Sequence, residues 1–122
     1  MLEGKERKGK HMGYYIYLDD IRENASWYNT HLNRDEWIPY VCRTAQEVIE
    51  LIIHLGTEAQ YILDLDYDLD CEDDEEVENG YDVCQWIVNH QVPITGFHIH
   101  STNQLGSEYM RNLLVNYGSP EI

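Results

Sequence analysis

The stretch that decides the fold runs from Thr44 to Asp66 and reads TAQEVIELIIHLGTEAQYILDLD. Thr44-Ala45-Gln46-Glu47 is a capping box: the threonine accepts from the amide three residues on, and the glutamate reaches back. The helix it opens carries Val48, Ile49, Ile52, Ile53 and Leu55 at a 3.6 period, and Gly56 ends it. Five residues later Tyr61-Ile62-Leu63, then Leu65, form an apolar strand that stops in a burst of acids. Working outward, the same alternation recurs. Tyr14-Tyr15-Ile16-Tyr17-Leu18 is a β-prone run halted by Asp19-Asp20, and Ile21 to Leu32 is weakly helical. Trp37 to Val41 reads as a second strand. Asn79-Gly80 is a turn signal before a helix over Tyr81 to His90. Phe97-His98-Ile99-His100 is a fourth strand, and Ser107 to Tyr117 closes the chain as a helix with Met110, Leu113, Leu114 and Tyr117 on one face. Strands separated by helices predict βαβ units, hence an α/β protein with a mainly parallel sheet covered on both faces.

The chain has 122 residues, 43% hydrophobic and 11% aromatic, enough for one core and too apolar for a disordered tail. No apolar run approaches the roughly 20 residues of a spanning helix, and no secretory segment precedes the strands; a soluble, cytoplasmic protein without membrane contact is expected. The formal charge is −15. Residues 1–11 carry four bases and two acids, and His11-Met12 is what a common cloning site encodes. Residues 1–11 therefore read as a vector-derived leader, and residues 12–122 as one domain. That domain carries −17 and no lysine, its bases being Arg22, Arg34, Arg43 and Arg111. Binding to long nucleic acid is disfavoured, because nothing neutralises a phosphate backbone. Cys42, Cys71 and Cys84 make neither a paired framework nor a zinc spacing, which suits free thiols in a reducing compartment.

In open parallel sheets ligands sit beyond the carboxyl ends of the strands. That rule selects Asp19 and Asp20 after the first strand, Asp66 and Asp68 after the third, and His100 to Asn103 after the fourth. Asp19 with Asp66 at neighbouring strand tips suits a hard dication such as Mg²⁺, which prefers oxygen ligands and bridges to phosphate. An Asp-Asp pair also serves strand termination and helix capping, but four crowded acids repel unless a cation or protons intervene. His100 is placed for proton transfer or for donating to a phosphate oxygen. Ser101, Thr102 and Asn103 precede a Gly106-containing turn and would form a small anion seat, or simply an N-cap by Asn103 or Ser107. Arg22 or Arg111 could clamp a phosphate, although surface ion pairing is the commoner fate.

Other patterns carry less. Ten acids and no base lie between Asp64 and Glu78. Asp64, Asp66, Asp68 and Glu75 match an EF-hand register, but Leu69 stands where that loop needs glycine and a strand precedes it. The Glu72–Glu78 stretch reads as a solvated loop. Asp64-Leu65-Asp66 has the Asp-x-Asp of haloacid-dehalogenase phosphatases, without their downstream lysine and on the wrong strand. His98 and His100 share one side of a strand, yet no third transition-metal ligand is evident. His100-Ser101-Thr102 is a single His-x-Thr, where the 2H phosphoesterases need two. Trp86 and Tyr81 are read as packing residues.

Taken in order, Leu18-Asp19-Asp20-Ile21-Arg22, Val41-Cys42-Arg43-Thr44-Ala45-Gln46-Glu47, Leu65-Asp66-Tyr67-Asp68-Leu69, Gly80-Tyr81-Asp82-Val83 and His100-Ser101-Thr102-Asn103 with Gly106 and Met110 resemble the receiver-like domains that process cyclic phosphates. The resemblance runs from about Tyr14 to Tyr117. It implies a flavodoxin- or receiver-like three-layer sandwich with four to five strands, lacking the phosphorelay lysine. It also implies a role on cyclic-phosphate ends or nucleotides, in RNA repair or related conflict systems. By motif match it carries Asp19, Asp20, Asp66, Asp68, His100, Ser101 and Asn103 over as site residues. Tyr67 stands where the family usually has histidine, and Asp64 where it often has serine.

The expectation is a metal-dependent phosphoesterase acting on cyclic phosphates. Asp19, Asp20 and Asp66 would hold Mg²⁺ or Mn²⁺. His100 would protonate the leaving oxygen, with Asp66 and Asp20 also catalytic, and Arg22, Asp68, Ser101 and Asn103 would bind substrate. The partner expected is a nucleotide or an RNA-end cyclic phosphate. The rivals are an atypical phosphoacceptor receiver phosphorylated on Asp66, and a non-catalytic module that binds a nucleotide or, through its acidic loop, a protein.

Overall fold

Alternation along the strands sorts the side chains into two layers before any tertiary contact is considered. The structure, a computed structural model, describes residues 13–21, 26–69 and 78–122. The leader assigned to residues 1–11, Arg22, Cys71 and residues 72–77 of the acidic stretch lie outside the described residues. The elements are β1 (Gly13–Leu18), α1 (Ser26–His31), β2 (Trp37–Cys42), α2 (Ala45–Leu55), β3 (Tyr61–Leu65), α3 (Gly80–Asn89), β4 (Gly96–Ile99) and α4 (Gln104–Tyr117). All four strands are parallel, in the order β2-β1-β3-β4. Past α4 the chain returns beside β4 through a single parallel bridge, Phe97 with Glu121.

Ile16, Leu18, Leu63 and Leu65 point to one face and meet Val48 and Ile52 of α2, Val83 and Ile87 of α3, and Met110 and Leu114 of α4. Each is wholly removed from water, and a buried Leu or Ile contributes about 1.5–3 kcal/mol. The opposite parity, Tyr15, Tyr17 and Ile62, packs with Tyr28 of the six-residue helix α1 and with Trp37. Tyr28 donates its hydroxyl to the Trp37 carbonyl at 2.6 Å. Three long helices thus cover one face and one short helix the other. The second face is built mostly from aromatic rings, and their hydroxyls let it carry polar atoms inward.

Local details depart from the sequence reading. Thr44 caps α2 by accepting from Glu47, but the glutamate carboxylate takes the amide of Arg43, one residue outside the cap. Ile53 is 65% exposed, so the buried stripe of α2 is Ala45, Val48 and Ile52. Asn79 is the N-cap of α3 and forms a reciprocal capping box with Asp82. Helix α4 begins at Gln104, three residues earlier than Ser107, capped by Asn103. Gly106 therefore lies in its first turn rather than in a preceding loop. A Cβ there would stand 2.3 Å from the Tyr67 ring, so the absence of a side chain lets the helix close onto that tyrosine. Cys42 and Cys84 are buried free thiols, and burial pushes them up to about 11 and about 12. Among the described residues no helix is long and apolar enough to cross a membrane.

Candidate functional site

Parallel pairing brings the ends of β1, β3 and β4 side by side. Asp19 follows β1, Asp66 follows β3 and His100 follows β4. The ladder continues past the strands: the Asp66 amide donates to the Leu18 carbonyl, and the His100 amide to that of Leu65. One ligand atom from each of Asp19, Asp66 and His100 lies within 4.8 Å of the other two. Asp19, Asp66 and His100 thus meet on one rim of the sheet.

His100 is held from both ends. Its Nε2 is 3.0 Å from Asp19 Oδ2, and its Nδ1 is 2.6 Å from Asp64 Oδ1. Asp64 Oδ2 accepts the hydroxyl of Tyr15. The imidazole lies flat against Tyr17, the ring centroids 4.7 Å apart and the planes at 13°. Asp19 and Asp64 are 2% and 1% exposed, a depth at which a carboxylate is stable only when partnered. Asp19 Oδ1 accepts the Ile21 amide, and the Asp19 carbonyl accepts from Arg43 Nη1 at 3.0 Å.

Burial disfavours the His100 imidazolium. The hydrogen bond and charge of Asp64, joined by Asp19 and Asp66, outweigh it and raise the histidine above its ordinary 6.5. Asp66 is also raised, chiefly by burial and also by the Asp19 charge. His100, the Ser101 side chain and the Tyr67 amide oppose this rise. Burial and the Asp64 charge push the Tyr15 phenol far above its usual value, so its hydroxyl remains a donor.

These shifts fix the sign of the pH dependence. A raised histidine contributes stability that is complete below about pH 6.5 and lost as pH rises through its folded value. A raised carboxyl costs stability as it ionises. Through these two groups the folded chain binds more protons than the unfolded one. Urea denaturation in chelator is expected to give a less stable protein at pH 9 than at pH 6, and His100→Gln should flatten most of that slope. A wild-type stability that holds or rises over this interval would contradict the arrangement.

The remaining candidates divide. Ser101 bonds Asp66 through its side chain, and its Oγ accepts the Asn103 amide at 3.1 Å. Asn103 caps α4 through Oδ1 while its Nδ2 reaches Asp68 Oδ2 at 3.2 Å. Asp68 is exposed, and the amides of Asn103 and Gly106 are already partnered in this turn. Asp20 is half-buried beside Asp19 but outside the group of three. Arg22 lies outside the described residues. Arg111 forms a two-pronged ion pair with Glu121, at 2.7 and 3.0 Å, on the surface. His98 stacks on Trp27 rather than joining His100.

Sequence reasoning missed the buried roles of Asp64, Tyr15, Tyr17 and Arg43. A usable signal existed for Asp64, a charge inside the apolar run Tyr61–Leu65, and for Arg43, the first residue past β2.

No curated protein is significantly similar in sequence to this chain. Two solved structures share its fold. A fusion built on the yeast Spc42 trimeric coiled coil superposes with a TM-score of 0.55 at 17% identity over 83% of the chain, which spans 63% of that protein. The signal receiver domain of a protein described as a Luxo repressor, from Vibrio parahaemolyticus, gives 0.56 at 18% identity, covering 90% of this chain and 76% of its own. The profile of the cyclic-phosphate processing receiver domain matches residues 14–116. With nearly every described element inside that match, this chain belongs to the family of cyclic-phosphate processing receiver domains.

Proposed function

We propose that the rim formed by Asp19, Asp66 and His100 binds and hydrolyses a cyclic phosphate, carried by a nucleotide or an RNA end, together with Mg²⁺ or Mn²⁺. The observation that supports it most is the meeting of two carboxylates and an imidazole from three strands, with ligand atoms within 4.8 Å. The donor chemistry fits a dication. Asp19, Asp64 and Asp66 crowd three carboxyl groups around one imidazole, an excess of acid that a bound cation relieves. Carboxylate oxygens are the ligands Mg²⁺ and Mn²⁺ prefer. Asp19 and Asp66 would hold the ion, with Asp20 adjacent. When bound, the ion polarises a phosphoryl oxygen.

The chain's own groups supply the rest. The carboxylates around His100 favour its imidazolium, which has a proton to give at Nε2 to the departing ester oxygen. Ser101 steadies Asp66, and Asn103 holds Asp68 at the rim where the substrate would sit. The absence of lysine beyond residue 10 disfavours a phosphoacceptor role for Asp66, because the dianionic phosphoryl group would lack its usual counter-charge.

Thermal melting tests the binding step directly. A ligand that binds only the folded state at 100 times its Kd adds about 2.7 kcal/mol. Mg²⁺ or Mn²⁺ is expected to raise the melting temperature by several degrees, and a 2′,3′-cyclic nucleotide to raise it further only when the ion is present. Melting curves unmoved by either ion would remove the metal from this reading. Ion-dependent binding of the nucleotide without turnover would reduce it to a binding module.

A further inference from the structure

We propose that Asp64, itself held by Tyr15, is a positioning residue that fixes the ring of His100 so that Nδ1 carries a proton and Nε2 is the atom presented to Asp19 and Asp66. The inference deepens the reading above by assigning which nitrogen faces the substrate, and it stands on geometry alone. Both ring nitrogens face carboxylates, which accept and do not donate, so each carries hydrogen in the imidazolium. When one proton leaves, the shorter contact, Nδ1 to Asp64 Oδ1 at 2.6 Å against Nε2 to Asp19 Oδ2 at 3.0 Å, is the one that keeps its hydrogen. Asp64 cannot turn away. It is 1% exposed, its second oxygen takes the hydroxyl of Tyr15, and Tyr15 is wholly buried.

The ring cannot turn either. Tyr17 lies against its face at 13°, and inverting the imidazole would set carbon atoms where Nδ1 and Nε2 now meet Asp64 and Asp19, costing each buried carboxylate a hydrogen bond. Nε2 is thus the exchangeable position whether the ring is charged or neutral. This is the buried carboxylate–histidine pairing that orients an imidazole and selects its tautomer wherever the other nitrogen must act. Sequence supplies each member through parity: Tyr15 and Tyr17 alternate on β1 toward the same face, and Asp64 follows Ile62 on β3 toward that face.

The tautomer can be read without a substrate or an ion. Long-range proton–nitrogen correlation spectra of the ring, recorded at alkaline pH where the imidazole is neutral, are expected to show His100 in wild-type protein as the Nδ1–H form, although free histidine favours Nε2–H. In Asp64→Leu the carboxylate is replaced by an apolar group of similar size, and His100 is expected to move to the Nε2–H form while His98 keeps its wild-type pattern. A residue that merely fills space would leave the tautomer unchanged. Wild-type His100 found as Nε2–H overturns the proposal, and needs no variant to fold. So does an unchanged Nδ1–H form in folded Asp64→Leu. Absence of metal binding or turnover would strike the function proposed above and leave this spectroscopic result standing.

Discussion

Asp66→Asn is expected to lower Mg²⁺- or Mn²⁺-dependent hydrolysis of a 2′,3′-cyclic nucleotide by at least about 100-fold, while the metal-free protein melts no lower than wild type. The two halves come from one observation. Asp66 is raised by burial and by the neighbouring Asp19, so its ionised form is resisted by the fold. An isosteric neutral side chain relieves that cost, retains a partner for Ser101, and removes the charge that would hold a dication. Loss of activity with stability kept or gained is the signature of a site under electrostatic tension rather than a damaged core. His100 gives the converse. Removing a positioned acid costs about 10²–10⁴ in rate, but His100→Ala also takes one partner from each of the buried Asp19 and Asp64, and breaking a buried pair costs about 3–5 kcal/mol. His100→Gln, which keeps some hydrogen bonding, is the variant in which activity can be separated from folding. Turnover in Asp66→Asn within about threefold of wild type would end the claim that this carboxylate handles the ion.

How far the sequence reached follows from which forces leave a local mark. Strands β1 to β4 and the Thr44 cap were legible because short apolar runs and capping residues are local signals. The convergence of Asp19, Asp66 and His100 was legible because parallel topology forces strand ends to one rim. Asp64 was not. The ten acids from Asp64 to Glu78 mask it, although its place inside the apolar run Tyr61–Leu65 sets it apart from those that follow. Its role depends on a tyrosine hydroxyl 49 positions away in the chain. Arg43 has only its place just past β2 to announce it, because its contact is with a main-chain carbonyl, that of Asp19. Asn79-Gly80 and Gly106 read as turns because glycine is the usual turn residue. Both glycines lie instead in the first turns of helices, where the reason for glycine is a close neighbour across the fold.

That neighbour makes Gly80→Ala a strongly damaging change for a single methyl group. A Cβ at Gly80 would stand 2.2 Å from the Asp66 carbonyl oxygen and 2.8 Å from Met110 Sδ. Methionine can yield, but the backbone oxygen cannot move without carrying the Asp66 peptide with it, and the Gly80 amide is tied to the Tyr67 carbonyl at 2.9 Å. Either α3 lifts off the rim, losing the packing of Val83, Cys84 and Ile87, or the Asp66 turn shifts. Overpacking of this kind costs about 3 kcal/mol, which lowers the melting temperature of a domain this size by about 10 °C. Gly118 is the control. It adopts φ 112° at the end of α4 with nothing within 4 Å of a built Cβ, so Gly118→Ala meets only backbone strain of about 1 kcal/mol. The two substitutions add the same atom, so the difference between their melting temperatures measures the contact of α3 with the Asp66 peptide. Because that peptide carries the candidate ligand, Gly80→Ala is also expected to blunt the rise in melting temperature that Mn²⁺ produces, whereas Gly118→Ala should leave it unchanged. Equal melting temperatures for the two variants would mean that the first turn of α3 does not press on the site.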